Sequence, residues 1–426
     1  MKLKLLALLV LPATIFAQGY TSYFTGSTTN ITTQTTPGTC LMGGAAEHDN
    51  AMLWLLERAN GGDVVVLRSS GSDGYNDYLY SELGVNVNSV ETLVITSVAG
   101  ATDPYVLDKV ANAEMIWFAG GDQWNYVSFF KDNALEDLLN AHVNVKQAPI
   151  GGTSAGMAIL GGKYFSAQYG SVSSAQALMD PSNPNVSVMF DDFLSVPYLT
   201  GVITDTHYDN PDRRGRHVAF IARLKQTLTS TYGIAANEYV AICIDENGIA
   251  RVYGDYPNYD EFAYFIQPNC QDWDGPEVFS PGTPLTWNFN GEALQVYKVP
   301  GTMNGEHYFD LNGWTLPEAS GGTWEHWYVV NGALNVTAGT EPDCMLGIPA
   351  SQKIAVGAYP NPFNESLSVS FADAARIKIY DAVGKPVYET TLSADEPIDT
   401  SAFSAGFYIA EITTENGRVT EKLVKM

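Results

Sequence analysis

Between residues 38 and 255, short apolar runs alternate with longer stretches whose apolar residues recur at helical spacing. Such runs are typical of parallel strands buried on both faces, and the alternation favours a doubly wound, mostly parallel α/β sheet. Ligand sites in these sheets lie beyond the carboxyl ends of the strands, so polar residues directly after the runs are the first candidates. The predicted strands are GTCLMGG, GDVVVLR, ETLVITS, AEMIWFAGG, APIGG, GVITDTH and YVAICID, and the predicted helices are AMLWLLERA, VSFFKDNALEDLLNAHV and VAFIARLKQTLTSTYG.

The two ends of the chain follow other patterns. Residues 1–17 place Lys2 and Lys4 before an apolar run that ends at Ala17, which predicts a cleaved signal peptide. That run is too short to span a membrane, and no other stretch is long enough, so we expect no transmembrane segment. Residues 18–37 are rich in Thr and Ser and predict an irregular lead-in.

Beyond residue 255 the pattern changes to short strands. Residues 256–345 are dense in aromatic residues and predict a β-rich extension packed against the α/β body. We expect those aromatic side chains to lie in a core, with a carbohydrate- or polymer-binding face as the alternative. Residues 353–426 alternate in the manner of a small all-β sandwich.

The composition excludes some classes of partner. The chain of 426 residues carries 22 Lys and Arg against 47 Asp and Glu, a net charge of −25. This balance excludes nucleic acid as a partner and disfavours anionic membranes, because both need clustered basic residues. The four cysteines show no metal-ligand spacing, so we predict no metal and no cofactor; at least two should be buried, and their pairing stays open.

The strand-to-helix turn GGTSAGM supplies the first catalytic candidate. It fits the pattern G-x-S-x-G, in which small neighbours allow a strained turn that exposes a serine hydroxyl at a helix N-terminus. Ser154 stands at its centre. The alternative is a plain tight turn without chemistry.

A serine nucleophile needs a base and an acid that orients it. His207 ends a predicted strand, whereas His48, His142 and His217 lie in or beside helical stretches and are expected at the surface. Glu246 follows another buried strand and is the predicted acid. Asp245 is its competitor, and a polar hairpin turn is the alternative for both.

The order Ser154, His207, Glu246 and the motifs around it resemble the cyanophycinase and dipeptidase E family of serine peptidases, whose fold is similar to that of class I glutamine amidotransferases. The resemblance covers residues 38–255. It implies Ser154 as nucleophile, His207 as general base and then acid, and Glu246 as the orienting carboxylate. The motifs are MGGAAE, WFAGGDQ, GGTSAGM, TDTHYDNPDRRGR and AICIDENG.

The same resemblance implies further site residues. Gly121-Asp122 would supply one oxyanion N–H and Ala155 the other, while Gln123 would contact the substrate. The segment after His207 departs from the family pattern by extra residues that include Pro211. Three arginines close to the predicted base favour binding of a substrate carboxylate, and a solvated helix start is the alternative. They are Arg213, Arg214 and Arg216.

The C-terminal segment carries a second resemblance. YPNPFNESLSVSF, IKIYDAVGKPVYE, DTSAFSAGFYIAEI and the terminal KLVKM together resemble the C-terminal sorting domain of type IX secretion substrates. This implies that the type IX secretion machinery is a partner. It also implies a secreted or cell-surface protein of a Gram-negative bacterium.

These patterns lead to one functional hypothesis and one alternative. The first is a secreted serine peptidase that cleaves aspartyl or β-aspartyl peptides, or a cyanophycin-like polymer, through an acyl-enzyme on Ser154. The alternative is a surface protein that binds peptide or polymer on the same fold without catalysis. The distance between Ser154 and His207 distinguishes them, because catalysis requires hydrogen-bond reach.

Overall fold

The computed structural model describes residues 18–272, 274–314, 317–342, 344, 357–370, 375–382, 384–392, 397–414 and 417–426. The chain divides into two compact units, Met1–Cys344 and Met345–Met426. The predicted signal peptide, residues 1–17, lies outside the described residues.

The first unit consists of strands and short helices. Its strands are β1 (Tyr20–Gly26), β2 (Gly38–Met42), β3 (Asp63–Arg68), β4 (Ser89–Ile95), β5 (Met115–Phe118), β6 (Ile150–Thr153), β7 (Lys163–Phe165), β8 (Val188–Phe190), β9 (Val202–Asp205), β10 (Tyr232–Ala236), β11 (Ala241–Asp245), β12 (Ile249–Tyr253), β13 (Phe262–Pro268), β14 (Leu294–Pro300), β15 (His307–Asp310), β16 (Ala319–Ser320), β17 (Thr323–Val330) and β18 (Ala333–Ala338). Its α-helices are α1 (Asp49–Glu57), α2 (Val98–Ala101), α3 (Pro104–Asn112), α4 (Gln123–Phe130), α5 (Ala134–Asn144), α6 (Ala155–Ala158), α7 (Ser174–Met179) and α8 (Arg214–Lys225), with a π-helical turn at Tyr78–Glu82 and a 3₁₀ turn at Phe289–Gly291.

A ten-stranded sheet runs in the order β1-β4-β3-β5-β6-β2-β11-β12-β15-β16. Its five central strands, β4 to β2, are parallel, whereas β1 and the four strands from β11 onward are antiparallel to their neighbours. Along β3, Val64 and Val66 pack into one core cluster, while Val65 and Leu67 pack into another. Both faces of the sheet are therefore covered, as expected for a parallel centre.

A second sheet of eight strands has the order β18-β17-β14-β13-β10-β9-β7-β8. Only β10, β9 and β7 run parallel within it. All seven predicted strands are confirmed, but GVITDTH (β9) lies in this second sheet. The fold is thus a mixed α/β architecture: the expected parallel pairing in the α/β body is confirmed, but the parallel strands are divided between two sheets and do not form one.

Two predicted helices are shorter than their apolar patterns. The stretch VSFFKDNALEDLLNAHV is interrupted at Asp132, which has φ 60°. Helix α5 then begins at Ala134, and the side chain of its N-cap residue, Asn133, accepts from the Leu135 N–H at 3.0 Å. The last predicted helix ends at Lys225, and its final residues begin β10 instead. In both cases local capping and strand pairing outweigh helical periodicity.

The aromatic segment 256–345 contributes strands to both sheets. Trp287, Trp327, Phe265 and Phe309 are fully buried, so a core location is confirmed for these side chains. No helix among the described residues is long and apolar enough to cross a membrane.

The cysteines of the first unit fall into two pairs. Cys270 and Cys344 form a disulfide. Cys40 and Cys243 are buried free thiols on paired strands, with their Sγ atoms 3.6 Å apart. The expectation of at least two buried cysteines is confirmed.

The second unit is all-β. Its strands are β19 (Gly357–Tyr359), β20 (Ser366–Ser370), β21 (Ala375–Asp381), β22 (Pro386–Leu392), β23 (Ile398–Asp399), β24 (Gly406–Thr414) and β25 (Gly417–Lys425). They form sheets of three and four strands, β19-β20-β23 and β22-β21-β24-β25. Leu367, Val369, Ile377 and Ile412 share one core, as the alternating pattern predicts.

Candidate active site

Ser154 occupies a sharp turn between β6 and α6. Its backbone has φ 53° and ψ −116°, and its N–H donates to the carbonyl oxygen of Met42 at 3.0 Å. A Cβ on Gly152 would lie 2.6 Å from the backbone of Gly156, and a Cβ on Gly156 would lie 2.2 Å from the oxygen of Phe118. The two glycines of G-x-S-x-G are therefore required by close backbone contacts, and the turn is strained at the serine.

His207 lies just beyond the end of β9, with φ 47°. Its Nε2 is 2.8 Å from Ser154 Oγ, and its backbone N–H donates to the Gly43 oxygen at 2.8 Å. A Cβ on Gly44 would come within 2.4 Å of Nε2. The glycine pair that follows β2 thus holds the imidazole against the serine.

The acid that contacts the imidazole is Glu238. Its Oε1 is 2.6 Å from His207 Nδ1, and its Oε2 accepts from Asn210 Nδ2 at 3.2 Å. The hydrogen bond from His207 lowers the pKa of Glu238 below its ordinary value. The His207 and Glu238 side chains are only 23% and 19% exposed, so the pair is shielded but reachable from solvent.

Glu246, the predicted acid, lies elsewhere. Strand β11 is antiparallel to β2, so its first residue, Ala241, pairs with Met42 near the serine, and its last residue, Asp245, pairs with Gly38 at the opposite edge. Glu246 forms an ion pair with Arg58 at 3.3 Å. The prediction was wrong because it assumed that β11 runs parallel to its neighbours.

The competitor Asp245 lies at that same far edge. Its Oδ1 accepts from the backbone N–H groups of Asn247 and Ile249, as in the polar-turn alternative.

The sequence does contain a signal for Glu238. The run YGIAA (β10) precedes Asn237-Glu238 as a short strand would, but its first two residues fall in the predicted helix and its last three in no predicted element.

The Gly120–Gly121 turn and the start of α6 lie on either side of Ser154. A Cβ on Gly120 would lie 3.5 Å from Ser154 Cβ, which places the Gly120–Gly121 turn against the serine. Gly121 has φ 151°, and Asp122 caps α4 through its Oδ1 and the Trp124 N–H at 2.9 Å. On the other side Ala155 begins α6, where first-turn N–H groups have no acceptor within the helix.

The side chains of Gln123 and of the three arginines already have hydrogen-bond partners within the protein, and these partners differ. Gln123, at the start of α4, donates to the Phe165 oxygen at 3.1 Å. Arg213 donates to the Thr206 oxygen at 3.0 Å. Arg214 is bound to Asp212, its Nε 3.0 Å and its Nη2 2.6 Å from the two carboxylate oxygens.

Arg216 is only 4% exposed, and its Nε donates to Asp205 at 2.8 Å. This contact connects α8 to β9. It leaves the Arg216 guanidinium buried, whereas the sequence predicted that Arg216 binds a substrate carboxylate. Arg213 is the arginine of the three that remains close to His207. Among the other histidines, His142 and His217 are buried rather than at the surface.

A cavity of about 610 Å³ is lined in part by Tyr239, the residue that follows Glu238 in the chain. Its lining combines carboxylates with tyrosine rings. The carboxylates are those of Glu47, Asp49, Asp255 and Glu261. In the described part of the chain, no group of three or more His, Cys, Asp or Glu residues is placed to hold a metal ion.

Comparison with known proteins finds similarities over two parts of the chain. Residues 73–252 match the model of peptidase family S51, and residues 357–426 match the model of the secretion system C-terminal sorting domain. Two cyanophycinases, from Synechococcus elongatus and Thermosynechococcus vestitus, are each 26% identical over 203 residues, which is 46% of this chain and 58% of theirs. The chain thus spans somewhat over half the length of these curated relatives.

Solved structures give weaker likenesses. A peptidase from an acI-B1 Actinobacterium is 15% identical with a TM-score of 0.37, covering 54% of this chain and 93% of its own. A proposed peptidase E protein from Listeria monocytogenes is 15% identical with a TM-score of 0.33, covering 51% of this chain and 98% of its own. Together with the family models, the sequence relatives make residues 73–252 similar to peptidase family S51, with cyanophycinases among the relatives, and residues 357–426 similar to the secretion system C-terminal sorting domain.

Proposed function

We propose that this protein is a serine-type peptidase that hydrolyses amide bonds through an acyl-enzyme on Ser154. The observation that carries the proposal is the relay of two hydrogen bonds, from Ser154 Oγ to His207 Nε2 at 2.8 Å and from His207 Nδ1 to Glu238 Oε1 at 2.6 Å. A nucleophile, a base and an orienting acid stand in the required order and within hydrogen-bond reach.

The relay assigns a task to each group. Glu238, ionised because its pKa is lowered, accepts the Nδ1–H of His207 and leaves Nε2 free to take the serine proton. Ser154 Oγ attacks the carbonyl carbon while His207 accepts its proton. His207 then donates that proton to the leaving amine, and a water molecule deprotonated by His207 hydrolyses the ester.

Charge that develops on the carbonyl oxygen needs N–H donors. The Gly120–Gly121 turn and the N-terminus of α6 flank Ser154, which suits the oxyanion roles of the Gly121-Asp122 segment and Ala155. These donors belong to backbone segments fixed by close packing, so they need no large reorganisation.

The substrate that we propose is an aspartyl or β-aspartyl peptide, or a cyanophycin-like polymer. The relatives named cyanophycinase support this class. Arg213 offers a cation near the relay for a substrate carboxylate. The acidic, tyrosine-lined cavity beside Tyr239 suits a cationic part of the same substrate.

We also propose that the protein is exported. The sorting domain at residues 357–426 supports recognition by the type IX secretion machinery, and the apolar segment at residues 1–17 fits a signal peptide. The product would be secreted or displayed at the cell surface.

Replacing Ser154 by Ala tests the proposed chemistry. The wild type should hydrolyse an aspartyl substrate and be labelled covalently by a fluorophosphonate, and the variant should do neither. Cyanophycin and matched α- and β-aspartyl peptides, followed by mass spectrometry of the products, identify the bond. An undiminished rate in the variant would contradict the proposal, and tight polymer binding without product would favour a binding protein instead.

A further inference from the structure

Ser69 carries a hydroxyl that the fold does not use. It directly follows β3, which ends at Arg68. The residue is 5% exposed, and within the described residues its Oγ is a buried atom without a hydrogen-bond partner. A buried hydroxyl without a partner is costly and uncommon, so its retention calls for a physical reason.

The position of Ser69 relates it to the candidate active site. Strand β3 pairs in parallel with β5 and aligns Leu67 with Phe118, so both strands end at the same edge. A Cβ on Gly121 would lie 3.4 Å from Ser69 Oγ. Ser69 and Ser154 therefore stand on opposite sides of the Gly120–Gly121 turn.

The residue before this turn is already fixed. Ala119 donates its N–H to the Leu67 oxygen at 3.0 Å and accepts the Tyr126 hydroxyl at 2.8 Å. Gly121, with φ 151°, adopts a conformation that glycine takes at low cost. The peptide group that follows this anchor therefore lies between Ser154 on one side and the unpaired Ser69 hydroxyl on the other.

We propose that Ser69 is a positioning residue for the oxyanion turn, an inference that rests on the proposed function. As negative charge develops next to Ser154, the peptide group that joins Gly120 and Gly121 turns its N–H toward the charge, and the Ser69 hydroxyl then donates a hydrogen bond to the carbonyl oxygen on the opposite side. This hydrogen bond is absent from the resting site and is made as the charge develops. Interactions of that kind raise kcat rather than substrate affinity.

Three variants test the proposal. In Ser69→Ala we expect kcat to fall about tenfold, the effect of one hydrogen bond, with KM unchanged. Because the resting hydroxyl is unpaired, its removal should leave the melting temperature unchanged or raise it. Ser69→Thr, which keeps a hydroxyl, should restore most of kcat. Ser72→Ala, at an exposed serine of the same loop with no atom within 4 Å of the Cβ position on Gly121, is the matched control and should match the wild type.

A structural role for Ser69 would show a different pattern. A lower melting temperature in Ser69→Ala with unchanged kcat would overturn the proposal. So would a Thr variant as slow as the Ala variant at equal stability. The rate of fluorophosphonate labelling gives a second readout, because negative charge develops on the phosphoryl oxygen in the transition state and needs the same N–H donors.

The labelling experiment separates the two proposals. If the wild type is neither labelled nor active, the proposed function fails and the role of Ser69 fails with it. If the wild type reacts and Ser69→Ala reacts equally fast, the proposed function stands and only the role of Ser69 is refuted.

Discussion

Oε1 of Glu238 lies 2.6 Å from Nδ1 of His207, although the two residues belong to loops that follow different strands of the second sheet. Strands β9 and β10 are adjacent and parallel, so their carboxyl ends meet at one edge. Ser154 comes to the same place from the first sheet, at the end of β6. The three groups therefore meet where two sheets adjoin, and one core cluster contains residues of both.

Glu238→Gln should lower kcat by roughly 10²- to 10⁴-fold, because the amide cannot stabilise the imidazolium or fix the tautomer of His207. Glu246→Gln is the matched control, since Glu246 contacts Arg58 at the far edge of the sheet. Steady-state hydrolysis by both variants checks this. The reverse pattern, with Glu246→Gln inactive and Glu238→Gln active, would contradict the relay.

Replacing Arg216 should mainly lower the stability of the fold, whereas replacing Arg213 should mainly weaken substrate binding. Burial alone would raise the pKa of Asp205, but the ion pair and hydrogen bonds of Arg216 lower it below its ordinary value. Arg216→Leu would leave that carboxylate buried and unpaired, which destabilises a fold by about 3–5 kcal/mol. Arg213→Ala should instead raise KM for an acidic peptide at nearly unchanged stability. Urea unfolding and steady-state kinetics measure both effects, and a stable Arg216→Leu protein would refute the structural role.

Gly44→Ala should disable the relay by displacing the imidazole. The new Cβ would lie 2.4 Å from His207 Cε1 and Nε2, far inside contact distance. Gly84→Ala is the control, because Gly84 also has a positive φ, 74°, but has nothing within 4 Å of the added Cβ. Both variants carry the strain of a positive φ, about 1 kcal/mol or more. We expect fluorophosphonate labelling to be lost only in Gly44→Ala; equal labelling would show that the ring tolerates the methyl group.

Stability should fall as the pH drops from 6.5 toward 4. Burial lowers the pKa of His142 from 6.5 to about 4, so in this range the unfolded chain binds a proton that the folded protein does not. Each such histidine costs at most about 1.4 kcal/mol per pH unit. His142→Gln should reduce the slope measured by urea unfolding between pH 7 and pH 5. Burial also lowers the pKa of His217 to about 4, so His217 should keep part of the pH dependence in the variant. An unchanged slope would show that His142 does not set the dependence.

The seven strands of the α/β body, the tight turn at Ser154 and the position of His207 at the end of a strand are predictable from local sequence patterns. Long apolar runs and the G-x-S-x-G spacing are local signals, because they follow from burial on both faces and from close contacts within a few residues. The all-β C-terminal unit was predictable for the same reason, since its strands alternate with period two.

The acid that contacts His207 and the arginine that is buried depend instead on how distant segments pack together. Glu238 and Glu246 both flank β11, at its two ends, and the direction of that strand decides which one reaches the histidine. Strand direction follows from pairing with β2, about 200 residues earlier in the chain, and no local pattern encodes it. In the same way, Arg216 is a buried partner of Asp205 because α8 packs against β9, although its sequence neighbours suggest a surface cluster.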